Sequence, residues 1–568
     1  MVLARKTPTK ASCDMQCLVG SSQGTDYENI PILRLHEDVL LRIFLENADF
    51  YQEERLTTAR QSSQVCRYWR EVLLRSPLIW GRLIDLNDLS STRTWIREVM
   101  SRAAHALVWI RGAIKFPDLL LPFIEDSWER IERLVVTAPD DQLQFWDALF
   151  KHPAPNLKEF GFLYDSFSRY AAYSFDPTQP VVQRSMLWFP PGTIFNDTAP
   201  VLKKFELRRR SNELTYHRPG HTLDMPMTWL SRLRVLSVRW TLDADALLAV
   251  LDSTPFLEDL EMGGFNAECS NQKAISLPRL ASLRFEECSD SFMTTFLECV
   301  TARSPGCCLS ISKAAVCEPQ FAYRLLTLVA AYIEGYFFKH APTRVSISFA
   351  YHPFFEMKDH SAASSRSHRL SIINIMRYDD IMQSLLDSPC FGCVRELDLY
   401  SWRASPMCSL LGFTSVTTLI TGSENLALIT QGASSAPMLP RLQVVKIAEG
   451  DSTRFETLFP RFPEYAHRFL QQRRDAGLRV NITLDLSALQ PKDLLYDLEN
   501  LEEFHGLCVR WRTSTFDPEG SKKEYICGSG YPEQLCFEKE RSTEGYFNSI
   551  AIGCGPPIYV QGWSGETA

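Results

Sequence analysis

Between residues 131 and 447 the chain returns again and again to one hexapeptide, apolar-x-x-apolar-x-apolar. The copies are Ile131/Leu134/Val136, Leu157/Phe160/Phe162, Leu202/Phe205/Leu207, Leu233/Leu236/Val238, Leu257/Leu260/Met262, Leu280/Leu283/Phe285, Val394/Leu397/Leu399 and Leu442/Val445/Ile447. Ala104/Leu107/Trp109 reads as a degenerate first copy. Side chains alternate across a strand, so the second half of each hexapeptide predicts a short strand with one buried face. Between copies, at 246–251 and 293–300, apolar residues recur at helical spacing. A strand-turn-helix unit cannot bury its own apolar face, so neighbouring units must stack. The pattern predicts an α/β solenoid with a parallel concave sheet and outer helices.

The first part of the chain has another rhythm. Val39, Leu40, Ile43, Phe44 and Ala48 recur at three- and four-residue steps, predicting a helix that ends near Asn47. A second helix is predicted over Glu53 to Arg60. A third carries Val65, Cys66, Trp69, Val72 and Leu73, with Ser62 or Ser63 as N-cap and Ser76-Pro77 as stop. Residues 1–29 are polar and aperiodic and read as a flexible tail. The expected organisation is therefore tail 1–29, helical unit 30–86, solenoid 87–500 and a cap or tail at 501–568, where no repeat is visible. Insertions are expected around Trp188 to Gly192 and at Ser361 to Ser367.

A length of 568 residues requires several domains or one repetitive core. With 45% hydrophobic and 23% charged residues, the chain has ample apolar material to bury. A net charge of -8 argues against a nucleic-acid partner. Leu325 to Ile333 is the longest apolar run, broken by Glu334 and too short to span a membrane. The N-terminal segment has no apolar core of secretory type, so a cytoplasmic or nuclear location is expected, with the 16 cysteines mostly reduced.

Candidate catalytic motifs are weak. Gly20-Ser21-Ser22-Gln23-Gly24 has nucleophile-elbow spacing without the strand the elbow needs. Cys390 and Cys393 form a C-x-x-C with no second pair. His217 and His221, near Glu213 and Asp224, lie in a polar loop. Phosphate-loop, dinucleotide and zinc-protease signatures do not occur. No catalytic residue, metal or cofactor is expected; an enzyme built on the cysteine and histidine clusters is the rival reading.

Residues 64–83, QVCRYWREVLLRSPLIWGRL, together with the helix before them, resemble the F-box, and the whole arrangement resembles the F-box families of mushroom-forming (basidiomycete) fungi. The matching residues are Leu35, Ile43-Phe44, Val65-Cys66, Trp69 and Pro77 to Trp80; His36 stands where the family usually has proline. The hexapeptides, at steps of 26, 24 and 23 residues from Ile131, Leu233 and Leu257, resemble irregular leucine-rich repeats, whose period is roughly 20 to 29. The resemblance implies docking on a Skp-type adaptor through Leu35, Leu40, Ile43, Phe44, Val65, Cys66, Trp69, Pro77 and Trp80. Through that adaptor it implies cullin and RING subunits, and so a substrate-recognition role in an SCF-type ubiquitin ligase. A leucine-rich interaction scaffold without a role in ubiquitination is the alternative. On the concave face, Glu206, Arg208, Ser237, Arg239, Glu261, Arg284, Glu286, Asp398, Tyr400 and Lys446 are expected to point to solvent and to meet an unknown protein substrate.

Overall fold

The strand alternation read from the hexapeptides is carried into the fold by a computed structural model. It describes residues 35–537 apart from 88–92, 140–141, 166–193, 211–227, 240–243, 266–272, 302–306, 313–318, 351–353, 362–368, 374–382, 384, 400–409, 424, 427–428, 430–438, 449–460, 490–496 and 514–521. The chain divides into two compact units, one ending at Ile110 and the other beginning at Arg111.

The first unit holds helices α1 (Glu37–Asn47), α2 (Arg55–Val65), α3 (Arg67–Arg75) and α4 (Pro77–Arg82), strand β1 (Ile84–Asp85) and helix α5 (Arg93–Ala103). Strand β2 (Val108–Ala113) begins in it. His36 caps α1, its Nδ1 accepting from the Asp38 amide at 3.3 Å. The third helix starts later than expected. Ser62 and Ser63 lie inside α2, where the Ser63 hydroxyl donates to the Arg60 carbonyl at 2.6 Å. The N-cap is Cys66, in extended conformation, whose Sγ accepts from the Trp69 amide at 3.4 Å. Leu40, Phe44, Trp69, Leu73 and Trp80 form the interior. Phe44 meets Trp69 edge-on at 5.2 Å, and Trp80 Nε1 donates to the Leu73 carbonyl at 2.8 Å.

Of the hexapeptide expected at Ala104/Leu107/Trp109, only Trp109 is buried. Ala104 and Leu107 are exposed, while Ala106, Val108 and Ile110 are buried. Val108, Trp109 and Ile110 are buried in succession, so the first half of β2 is covered on both faces rather than alternating.

In the second unit, β3 (Ile131–Pro139), β4 (Glu159–Asp165), β5 (Lys204–Arg210), β6 (Val235–Arg239), β7 (Asp259–Gly263), β8 (Ser282–Glu286) and β9 (Cys308–Ser312) follow one another in a parallel ladder. Phe160, Phe205, Leu236, Leu260, Leu283 and Leu309 occupy one register row and are buried. Helices supply the cover: the segments at 246–251 and 293–300 lie within Ala244–Asp252 and Asp290–Thr301, which bury their apolar faces. Aromatic residues thicken the layer near β4, with Phe150, Phe160, Phe195, Phe205 and Trp229 in contact. This unit is the α/β, solenoid-like architecture the repeats imply.

A second ladder follows. Strands β10 (Arg344–Ala350), β11 (Phe354–Asp359) and β12 (Arg369–Ile373) pair antiparallel, a departure from the all-parallel sheet expected. From β10 the sheet continues in parallel through β13 (Glu396–Leu399), β14 (Thr418–Thr421), β15 (Val444–Ile447), β16 (Thr483–Asp485) and β17 (Cys508–Arg512). An antiparallel strand, β18 (Lys522–Ile526), ends it. The ladder thus runs past residue 500 into the segment assigned to a cap. The pairing of β18 covers the outer edge of β17. No helix among the described residues is long and apolar enough to cross a membrane.

Candidate functional site

The residues singled out for adaptor docking separate into two groups by exposure. Leu40, Phe44, Trp69 and Trp80 are buried within the helical unit and hold it together, so they offer no contact surface. Ile43 and Val65 are exposed, Val65 at 57%, while Leu35, Cys66 and Pro77 are half-buried. The structure adds apolar positions to the surface that sequence reading missed: Val39, one turn before Ile43 on α1, with Leu74 on α3 and Leu78 on α4. Periodicity assigned Val39 to the core because the apolar stripe of α1 is wider than the face it buries. Scattered exposed aliphatics are ordinary. Here five of them fall on a small helical unit.

Charges on the open face of the first ladder are mostly tied to one another. Lys204 bridges Glu159 at 2.7 Å and Glu206 at 3.1 Å; Arg208 bridges Glu206 at 3.5 Å and Glu261 at 3.1 Å. Arg239 pairs with both Glu261 and Glu286. Arg208 Nε also donates to the Ser237 hydroxyl at 3.3 Å. Register explains the network, since Arg208 and Arg239 are partners across β5 and β6, and Glu261 lies one strand further on.

Ser237 and Glu261 are buried rather than solvent-facing, because long arginine side chains fold over them. Arg284 is exposed and Glu286, Asp398 and Lys446 are half-exposed, while Tyr400 lies outside the described residues. Replacing Glu261 with alanine leaves two arginines without their shared carboxylate and is expected to cost the second unit about 1–3 kcal/mol. A fall in its urea midpoint checks this, and an unchanged midpoint contradicts it.

The C-x-x-C pair sits in a 3-10 turn, Pro389–Cys393. Burial pushes the Cys390 thiol up to about 11, and it pushes the Cys393 thiol upward as well. Cys393 Sγ donates to the Pro342 carbonyl at 3.4 Å. Nucleophilic attack needs the thiolate, and the upward shift of both thiols works against it near neutral pH. Cys390 is half-buried and is expected to label more slowly with iodoacetamide at pH 8 in the folded chain than in urea; equal labelling in both would contradict its protection. Gly20 to Gly24, His217 and His221 lie outside the described residues. Asp497, Glu499 and Cys536 come together within 4.8 Å, with both carboxylates exposed to water.

No protein-family model matches the chain, and no curated protein matches it.

Proposed function

We propose that this chain is the substrate-recruiting subunit of a cullin-type ubiquitin ligase. Its F-box-like helices would dock on a Skp-type adaptor through Val39, Ile43, Val65, Leu74 and Leu78. The observation that carries the reading is the division of the F-box-like motif into a buried half and an exposed aliphatic half on one small helical unit. A unit of this size gains little from leaving aliphatic surface in water, whereas a partner that covers it recovers that hydrophobic free energy. Leu40, Phe44, Trp69 and Trp80 then act as the frame that positions those contacts.

The ladder unit, under this proposal, holds the target protein. Catalysis belongs to the conjugating enzyme carried on the cullin and RING subunits. The chain contributes proximity, raising the effective concentration of a target lysine at the charged enzyme. Co-purification of the full chain with a Skp-type adaptor tests the reading. Recovery of the adaptor that depends on Ile43 and Val65 supports it; recovery indifferent to both contradicts it.

A further inference from the structure

Apart from the open sheet face, the second unit carries a groove of about 380 Å³ at the edge where the strands begin. Lys158, Lys203, Arg232, Arg234 and Arg279 line it, with Phe256 among its apolar walls. Three of these cations are placed by the ladder itself. Lys158, Lys203 and Arg234 each stand immediately before a strand, and successive amides lock them in register. The Lys203 amide donates to the Lys158 carbonyl at 2.9 Å, and the Arg234 amide to the Lys203 carbonyl at 2.8 Å. Positions aligned this way are one strand spacing apart, roughly 4.8 Å.

Like charges placed side by side across strands are destabilising, and the surrounding carboxylates do not cancel them. Glu132 pairs with Lys158, and Glu258 lies 3.5 Å from Arg234. Arg232 donates to the Pro200 carbonyl at 2.6 Å, and Arg279 lies over the Phe256 ring at 4.6 Å. Lys203 has no carboxylate partner among the described residues. Five cations against two carboxylates leave a local positive excess in a chain whose net charge is -8.

We infer that this groove binds a phosphorylated peptide segment. A phosphoryl group brings about 1.5 to 2 negative charges and three acceptor oxygens, which match guanidinium forks and an ammonium converging from several sides. The exposed Phe256 ring, flanked by Pro200 and Val201, gives apolar surface for residues beside the phosphoryl group. A nucleic acid is the weaker match. The cations form one compact cluster, and a polyanion calls for an extended basic face. The inference is independent of adaptor docking, since the groove lies wholly within Arg111–Ala568 and binding is read on the chain alone.

The test uses the full-length chain and two fluorescent peptide libraries, one with a central phosphoserine and one with serine at that position. The phosphoserine library should bind at least about tenfold tighter and be displaced by inorganic phosphate at millimolar concentration. Lys203→Glu combined with Arg279→Glu should abolish the preference, while Lys203→Arg should keep it. All these side chains are exposed, so an unchanged melting temperature shows that the fold is intact. Equal binding of the two libraries, binding of neither, or a preference that survives the double charge reversal would overturn the proposal. Tighter binding of single-stranded oligonucleotides than of the phosphoserine library would overturn it too.

Discussion

Arg55→Ala is expected to destabilise the helical unit by about 3–5 kcal/mol, the range for removing one partner of a buried ion pair. Arg55 is 1% exposed, at the start of α2. Its Nη1 donates to the Arg82 carbonyl at 2.6 Å, its Nη2 lies 3.5 Å from Asp85 Oδ2, and its guanidinium lies 5.5 Å from the centre of the Phe50 ring. One side chain therefore ties α2 to the end of α4, to β1 and to the segment after α1. Truncation would remove the guanidinium partner of the buried Asp85, whose Oδ1 keeps the Asn87 amide at 3.0 Å, and would open space beside Phe44, Ala48 and Leu73.

A domain's whole stability is about 5–15 kcal/mol, so a loss of this size is a large share of it. Urea unfolding followed by tryptophan fluorescence, to which Trp69 and Trp80 contribute, reads the effect. Arg55→Lys should recover only part of the loss, because an ammonium cannot reproduce the two-pronged guanidinium contact. A midpoint for Arg55→Ala equal to that of the unaltered chain would show that the Arg55 contacts contribute nothing.

Arg55 also shows where sequence reading stops. It sits in a helix with little apolar periodicity, and nothing local marks a charged residue as buried; its partners come from α4 and β1. The hexapeptides were legible for the opposite reason: a strand with one buried face imposes a two-residue alternation on its own sequence, as at Leu397 and Leu399. Where that alternation weakens, the reading weakens with it. The copy at Val416/Leu419/Thr421 closes on a buried threonine rather than an aliphatic residue and went unseen, although β14 pairs as regularly as its neighbours.

The antiparallel strands β11 and β12 were invisible because strand direction is set by connections, which side-chain patterning does not encode. The salt-bridge lattice needed the register. Only once β5, β6 and β7 are aligned does Glu261 meet both Arg208 and Arg239. At the surface of the helical unit, the same apolar letters serve as core at Phe44 and as exposed surface at Ile43 and Val65. Periodicity finds a stripe; the width of the facing helices decides how much of it is covered.

The second large effect concerns that surface. Ile43→Asp with Val65→Asp places two carboxylates on aliphatic positions that the proposed docking covers. Both side chains are exposed in the isolated chain, so the fold should tolerate the change, and the loss should appear in binding alone. Burying a carboxylate without a partner is costly, and anchor positions of interfaces commonly contribute 2 kcal/mol or more each. The expected weakening of adaptor binding is therefore at least about 100-fold. Lys203→Glu, in the other unit, serves as the control and should leave adaptor affinity unchanged.

The most direct test is calorimetric titration of a purified Skp-type adaptor into the full-length chain, the Ile43→Asp/Val65→Asp variant and Lys203→Glu, after checking that all three melt alike. Saturable one-to-one binding is expected for the unaltered chain and for Lys203→Glu, and its loss in the double variant. Equal heats for all three, or no binding by the unaltered chain, would contradict it.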